Sequence, residues 1–320
     1  MSKAIKIVIV IAVALILAGV VLTLVAFAVT GFDAGKLGAG NFDTTEYAPE
    51  GEITRVEINV RTADVTFLVA SDGVARVECY ESEKQPHTVA LEDGKLSVSA
   101  QDERKWYEKI TVFSKSPKVK IWLPAGEYDA LALETDTGDV AVPEGLSFRE
   151  VSIETDTGDV KIAGIFATSL KIKTDTGDVE IPSLSTGDVG IKTNTGKAIV
   201  NDATTTDFAV ETDTGKVKLT NVNCAALTIE TDTGDVILKN VIGTGNAKIE
   251  TDTGDVKLDR CDAQNYKITT DTGDVTGTVL SEKIFFTSTR TGDIDVPHTK
   301  TGGEFDVKTA TGDIEITIAE

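Results

Sequence analysis

The chain has 320 residues, 41% of them hydrophobic and only 6% aromatic, and Asp plus Glu exceed Lys plus Arg by 52 to 31, for a formal charge of −21. That balance argues against a nucleic-acid binder, which needs cationic side chains against phosphates, and against adhesion of the folded part to anionic headgroups. It favours cations, cationic peptides or basic proteins as visitors, over a core that Val, Ile and Leu must fill.

Residues 1–30 stand apart. Lys3 and Lys6 precede an uncharged run from Ile7 to Thr30, IVIVIAVALILAGVVLTLVAFAVT, of 24 residues. About 20 apolar residues cross a bilayer core, so the run is expected to be a transmembrane signal-anchor. The flanking lysines and the acidic bulk behind it orient the N-terminus to the cytoplasm and residues 31–320 outside. Ala26-Phe27-Ala28 offers a cleaved-signal alternative, although the apolar run exceeds the ~7–15 residues of such peptides. A buried core helix is the third reading.

Gly31 to about residue 52 is Gly-rich and polar, and reads as a short stalk. From Ile53 to Ala130 the pattern alternates apolar and polar, as in ITRVEINV, VARVECYES, KITVF and KVKIWLPA, which predicts half-buried strands. Asp72-Gly73 and Asp93-Gly94 fall where hairpin turns are expected. Trp106, Tyr107 and Trp122 concentrate aromatic area in this β-rich lead-in, which is expected to cap the repeat region at residues 131–320. Cys79, Cys224 and Cys261 show no CxxC spacing; they indicate neither a disulfide framework nor a zinc site and read as small buried hydrophobes.

The repeat has as its marker the glycine of a T-x-T-G turn, at Gly138, Gly158, Gly177, Gly196, Gly215, Gly234, Gly254, Gly273, Gly292 and Gly312, at intervals of 19 or 20 residues. So tight a period signals a solenoid. Positions −7 and −5 from the glycine are apolar (Val151/Ile153, Leu227/Ile229), as are +2 and +4 (Val160/Ile162, Val256/Leu258). Each side is thus a strand with one face inward, and the glycine is expected to supply positive φ at a corner where the parity changes. Successive periods then pair in parallel about 4.8 Å apart. The expected fold is all-β: a single-stranded parallel β-helix of about ten coils, right-handed by the crossover rule, with a narrow interior that has little room for rings.

The turn itself invites a chemical reading. Thr occupies −1 and −3 in all ten copies and is expected to point inward, its hydroxyls bridging rungs. Asp occupies −2 in seven copies and +1 in eight, so stacking makes carboxylate columns. Ca²⁺ between rungs would relieve their repulsion, which makes Asp136, Asp139, Asp156, Asp159, Asp175, Asp178, Asp232, Asp235, Asp252 and Asp255 weak metal candidates. Asn194, Arg290, Ala310, Lys197 and Lys216 interrupt the columns and relieve the repulsion without metal, so solvated turn residues are the favoured reading. No cofactor is expected and no catalytic residue is distinguished: intervals never exceed 20 residues, leaving little chain for a cleft, and His87 and His298 lie near no nucleophile pattern. A polysaccharide-active β-helix enzyme using clustered Asp is the alternative class.

The Lys-flanked apolar segment, the β-rich lead-in and the tandem T-x-T-G-D-[VI] turns together resemble the bacterial putative-adhesin family of β-strand-repeat proteins, a domain of unknown function. The match covers most of residues 43–320. The resemblance implies a β-solenoid at the cell envelope, with some relatives tied to envelope-stress sensing and resistance to cationic peptides. It supplies no catalytic residues. The expected role is a non-enzymatic adhesin-like or surveillance surface, tethered through residues 7–30, with an envelope protein, cationic peptide or glycan as ligand. The C-terminal Ile318-Ala319-Glu320 carries no wall-sorting motif, so the tether is assigned to the N-terminus. Glu315 and Glu320 are expected to blunt the last coil against edge pairing.

Overall fold

The computed structural model describes residues 42–101 and 116–319, with residues 12, 15–22, 24, 25 and 28 of the apolar run. The described part of that run is helical, and Leu15, Ile16, Leu17, Val20, Val21, Leu22, Leu24 and Val25 are exposed. Among the described residues no helix is long and apolar enough to cross a membrane. Lys3, Lys6, residues 31–41 of the expected stalk, Trp106, Tyr107 and Glu320 lie outside the described residues, and the rest of that stretch opens with a strand, Phe42–Tyr47.

Every strand from Gly126–Thr137 onward pairs in parallel with the equivalent strand of a neighbouring coil, so the ten marker glycines delimit about nine turns of a β-solenoid. The register is set by identity of position. Val151 faces Leu170, Ile153 faces Ile172 and Thr157 faces Thr176, each one repeat apart. Hence the inward files are filled by Val, Ile and Leu with an occasional ring or small residue, and at the corner by threonine. Rings do enter, contrary to the expectation from interior width. They gather in the −7 file near the ends, where Tyr266 packs on Phe305 at 4.7 Å and Phe285 on Phe305 at 5.2 Å. Phe208 sits alone in the same file mid-stack, and near the N-terminal end Phe67, Tyr128 and Phe148 form a second cluster.

Chain order and stacking order part company at both ends. Arg55–Val60 pairs in parallel with Gly126–Thr137 on one side and with Lys95–Ala100 on the other. Asp64–Ala70 likewise pairs with Val140–Val142 and with Lys118–Pro124. The lead-in therefore runs as rungs of the same sheet. Its outer edges are closed by antiparallel strands: His87–Glu92 on Lys95–Ala100, Arg76–Ser82 on Lys118–Pro124, and Phe42–Tyr47 on Arg76–Ser82. Antiparallel return at an edge removes the open parallel donors that invite association.

The C-terminal end departs from expectation. Gly303–Thr311 inserts between Asn265–Thr272 and Lys283–Thr291, and Ile314–Ile318 between Val275–Val279 and Ile294–Asp295. Glu315 thus sits on an interior rung and does not blunt the edge. The outermost rung is the preceding repeat, which has Lys283 buried against Asp262 at 2.7 Å and Phe286 and Ile294 exposed. The last repeat carries Phe305, Val307, Ile314 and Ile316 at full inward positions, so burying it between two rungs hides more apolar surface than leaving it outermost.

Candidate functional site

The repeated corner is the feature the sequence singles out, and the structure files its residues one above another. The marker N–H of each coil donates to the carbonyl of the −1 threonine one coil on, as in Gly158 to Thr176 O at 3.0 Å and Gly177 to Thr195 O at 2.9 Å. The glycines are required by proximity as well as by φ. A Cβ on Gly158 would stand 2.1 Å from Gly138 O, on Gly196 1.9 Å from Gly177 O, and on Gly215 1.7 Å from Gly196 O. Gly177, Gly196, Gly254, Gly273, Gly292 and Gly312 also have the expected positive φ, at 149–159°, whereas at Gly138, Gly158, Gly215 and Gly234 the close approach is what demands glycine. The left-handed conformation belongs to the next bend, where Asp202, Asn221, Asn240 and Arg260 adopt φ of 47–56°. There Asn221 donates to Asp202 Oδ1 and Asn240 to Asn221 Oδ1, a short amide ladder suited to the αL preference of Asx residues.

Of the two threonine files only the −3 file points inward. Thr135, Thr155, Thr174, Thr193, Thr212, Thr231, Thr251, Thr270 and Thr309 are buried, whereas the −1 file from Thr137 to Thr311 is exposed. The parity change comes at −2, before the glycine, so −2 and −1 both face out. Thr174, Thr193, Thr251, Thr270, Thr289 and Thr309 donate from Oγ1 to a marker-glycine carbonyl of an adjacent coil, at 3.0–3.5 Å. Thr135, Thr155, Thr212 and Thr231 have buried hydroxyls without a partner.

The carboxylate columns divide in the same way. In the +1 column each Oδ1 accepts the backbone N–H of the neighbouring coil: Asp139 from Asp159, Asp159 from Asp178, Asp178 from Lys197, Asp235 from Asp255. Asp255 continues the ladder to Asp274 and Asp274 to Asp313. Lys197 lies 3.5 Å from Asp178, and Lys216 lies 3.1 Å from Asp235, where its hydrogen bond leads in holding that carboxyl below its usual range. In the −2 column Asp136 pairs with Arg61 and Asp175 accepts from Asn194, while Asp156, Asp232 and Asp252 are exposed. One oxygen of each inter-coil +1 carboxylate is therefore committed to main chain, and the columns serve as rung-to-rung ties more than as a cation cage.

Two other places carry chemistry that the sequence pattern does not mark. On the outer wall, Gly190 and Ala209 stand next to each other between Lys171 and Thr228 in one outward file. They leave a shallow groove of about 390 Å³ over the backbone of Ile153, Ile191 and Val210. Its rim is made of the pairs Lys173–Glu154 and Lys192–Glu211. At the N-terminal end, Cys79, Glu81 and His87 converge beneath the antiparallel closing strands, with one donor atom from each within 4.8 Å of the others. His87 Nδ1 lies 2.9 Å from Glu81 Oε2, which also accepts the His87 backbone N–H at 2.6 Å, while Thr45 Oγ1 donates to Glu81 Oε1 at 2.7 Å. Burial, helped by Glu81 and Glu78, pushes the Cys79 thiol up to about 12. Cys224 and Cys261 are buried free thiols, as expected, each pushed up to about 11 chiefly by burial.

A chain wound in register on itself, with glycine, threonine and aspartate filed along one corner, is a parallel β-solenoid repeat protein. The sequence profile of the Toastrack DUF4097 family matches residues 53–238 and 202–320, and the chain belongs to that family. Among solved structures it is similar to a putative adhesin from Bacteroides fragilis at 15% identity and TM-score 0.39, covering 87% of this chain and 97% of that one. It is similar to a putative adhesin from Parabacteroides merdae at 10% identity and TM-score 0.43, covering 88% and 98%. A putative lipid binding protein from Parabacteroides distasonis is similar at 12% identity and TM-score 0.46, again covering 88% and 98%. Comparison with curated proteins finds no match.

Proposed function

We propose that the protein is a non-enzymatic, membrane-tethered β-solenoid that holds an elongated binding surface outside the cell, for adhesion or for surveillance of the envelope. The observation that carries this reading is the outer wall itself. Its side chains run in files across the rungs, without inserted loops among the described residues, and the groove at Gly190 and Ala209 crosses several coils. An extended ligand, an envelope protein segment or glycan chain, lies naturally along such a surface. The charge of −21 makes a cationic peptide the favoured class. Support for the tether comes from the apolar run at 7–30 and from its exposed Leu, Ile and Val side chains, which need lipid or protein cover.

Immobilised full-length chain, titrated with a lysine-rich amphipathic peptide, tests the reading. The double change Gly190→Arg and Ala209→Arg fills the groove at outward positions, and a Cβ added at Gly190 meets nothing closer than 4.0 Å. Affinity should fall by tenfold or more with unchanged melting temperature. Equal binding by both proteins would contradict the assigned surface.

A further inference from the structure

We infer that Cys79, Glu81 and His87 form a site for one divalent cation of borderline softness, Zn²⁺ in the first instance, at the N-terminal end of the stack. The strand Arg76–Ser82 puts Cys79 and Glu81 two residues apart, on one face. The turn after it, closed by Gln85 N–H donating to Ser82 O, brings His87 back opposite them at the head of the next strand. Sulfur, carboxylate oxygen and imidazole nitrogen are the three donor types that Zn²⁺ takes in proteins. Ligands at its usual bond lengths stand about 3.3–3.8 Å apart, so donors already within 4.8 Å need only a small contraction.

The second observation is the imidazole. Its side chain is 1% exposed and Nε2 has no hydrogen-bond partner. The ring is therefore held only through Nδ1, 2.9 Å from Glu81 Oε2, where a cation in place of the shared proton would meet both groups. Glu81 is held in turn by Thr45 Oγ1 and the His87 N–H, which fix its carboxylate toward the ring. The buried Cys79 thiol ionises readily only if a positive charge shares its pocket, and metal binding supplies that charge as the proton leaves. No other group of three such donors occurs among the described residues. The sequence signal is Cys-x-Glu followed by His six residues on, a spacing that becomes a cluster only once the strand doubles back.

Titration of the purified full-length chain with Co²⁺ alone, followed by displacement with Zn²⁺, tests the site. The expected result is a sulfur-to-cobalt charge-transfer absorption saturating at about one equivalent, removed by Zn²⁺, with a rise in melting temperature on Zn²⁺ addition. Cys79→Ser should abolish the charge-transfer band, and Glu81→Gln should weaken binding by about 10–100-fold. The double variant Cys224→Ser, Cys261→Ser should keep the band, and it carries the test if Cys79→Ser does not fold. Absence of the band in folded wild-type protein, its survival in Cys79→Ser, or its loss in the Cys224→Ser, Cys261→Ser variant would overturn the assignment.

Discussion

The backbone N–H of Asp178 donates to Oδ1 of Asp159, one coil away, at 2.8 Å. This bond makes the repeated acidic turn a structural tie. Removing its acceptor in Asp159→Ala should cost about 0.5–1.5 kcal/mol, while Asp159→Asn, which keeps an oxygen in place, should cost little. Exposed Asp156→Ala should be neutral. Urea unfolding of the three variants checks the order, and addition of millimolar Ca²⁺ should leave all three midpoints unmoved.

The marker glycines should be intolerant for steric reasons. Gly215→Ala places Cβ 1.7 Å from Gly196 O and should destabilise by roughly 3 kcal/mol or more, or prevent folding. Gly190→Ala, on the open wall, should be neutral or gain up to about 1 kcal/mol. Thermal melts separate the two.

Thr212 buries a hydroxyl that finds no partner, whereas Thr193 donates to Gly177 O at 3.3 Å. Thr212→Val should therefore stabilise by about 1 kcal/mol, and Thr193→Val should be neutral or mildly destabilising. Calorimetry on the pair decides it.

Arg260 holds φ of 54° in the file where Asn221 and Asn240 stand. Arg260→Asn should gain about 0.5–1 kcal/mol by matching the residue to the left-handed bend. A lower urea midpoint in the variant would contradict this.

The Lys216 hydrogen bond leads in depressing the Asp235 carboxyl in the folded state. A depressed acid stabilises the fold above its unfolded value, taken as 3.8, and loses that contribution as pH falls through the lower folded value. The stability gap between wild type and Lys216→Met should then shrink below that pH. Denaturant titrations at pH 7 and at successively lower pH measure it.

The strands, the corner and the parallel stacking were all legible in the sequence, because each depends on a local pattern repeated at fixed spacing. Val160 and Ile162 reveal their inward face by parity alone. The inward direction expected of Thr157 was wrong because parity breaks at −2, a backbone event that side-chain chemistry does not mark. The glycine was legible, with its positive φ at six of the ten corners, but the clash with the neighbouring coil's carbonyl was not, because it exists only after stacking. Likewise the insertion of Gly303–Thr311 between two earlier repeats joins distant segments whose sequences are near-equivalent, so no local signal orders them. The Cys79–Glu81–His87 cluster depends on an antiparallel return, and the groove on two small residues, Gly190 and Ala209, becoming neighbours across coils.

The continuous in-register stack is tested most directly by one distance. Spin labels at Thr157→Cys and Thr272→Cys occupy the same exposed file, joined by the pairings Thr157–Thr176, Thr176–Thr195, Thr195–Thr214, Thr214–Thr233, Thr233–Thr253 and Thr253–Thr272. Dipolar electron resonance should give a narrow distribution centred near 29 Å, the length of those rungs at about 4.8 Å each. A broad distribution, or a centre displaced by more than about 10 Å, would mean that the repeats do not stack in files.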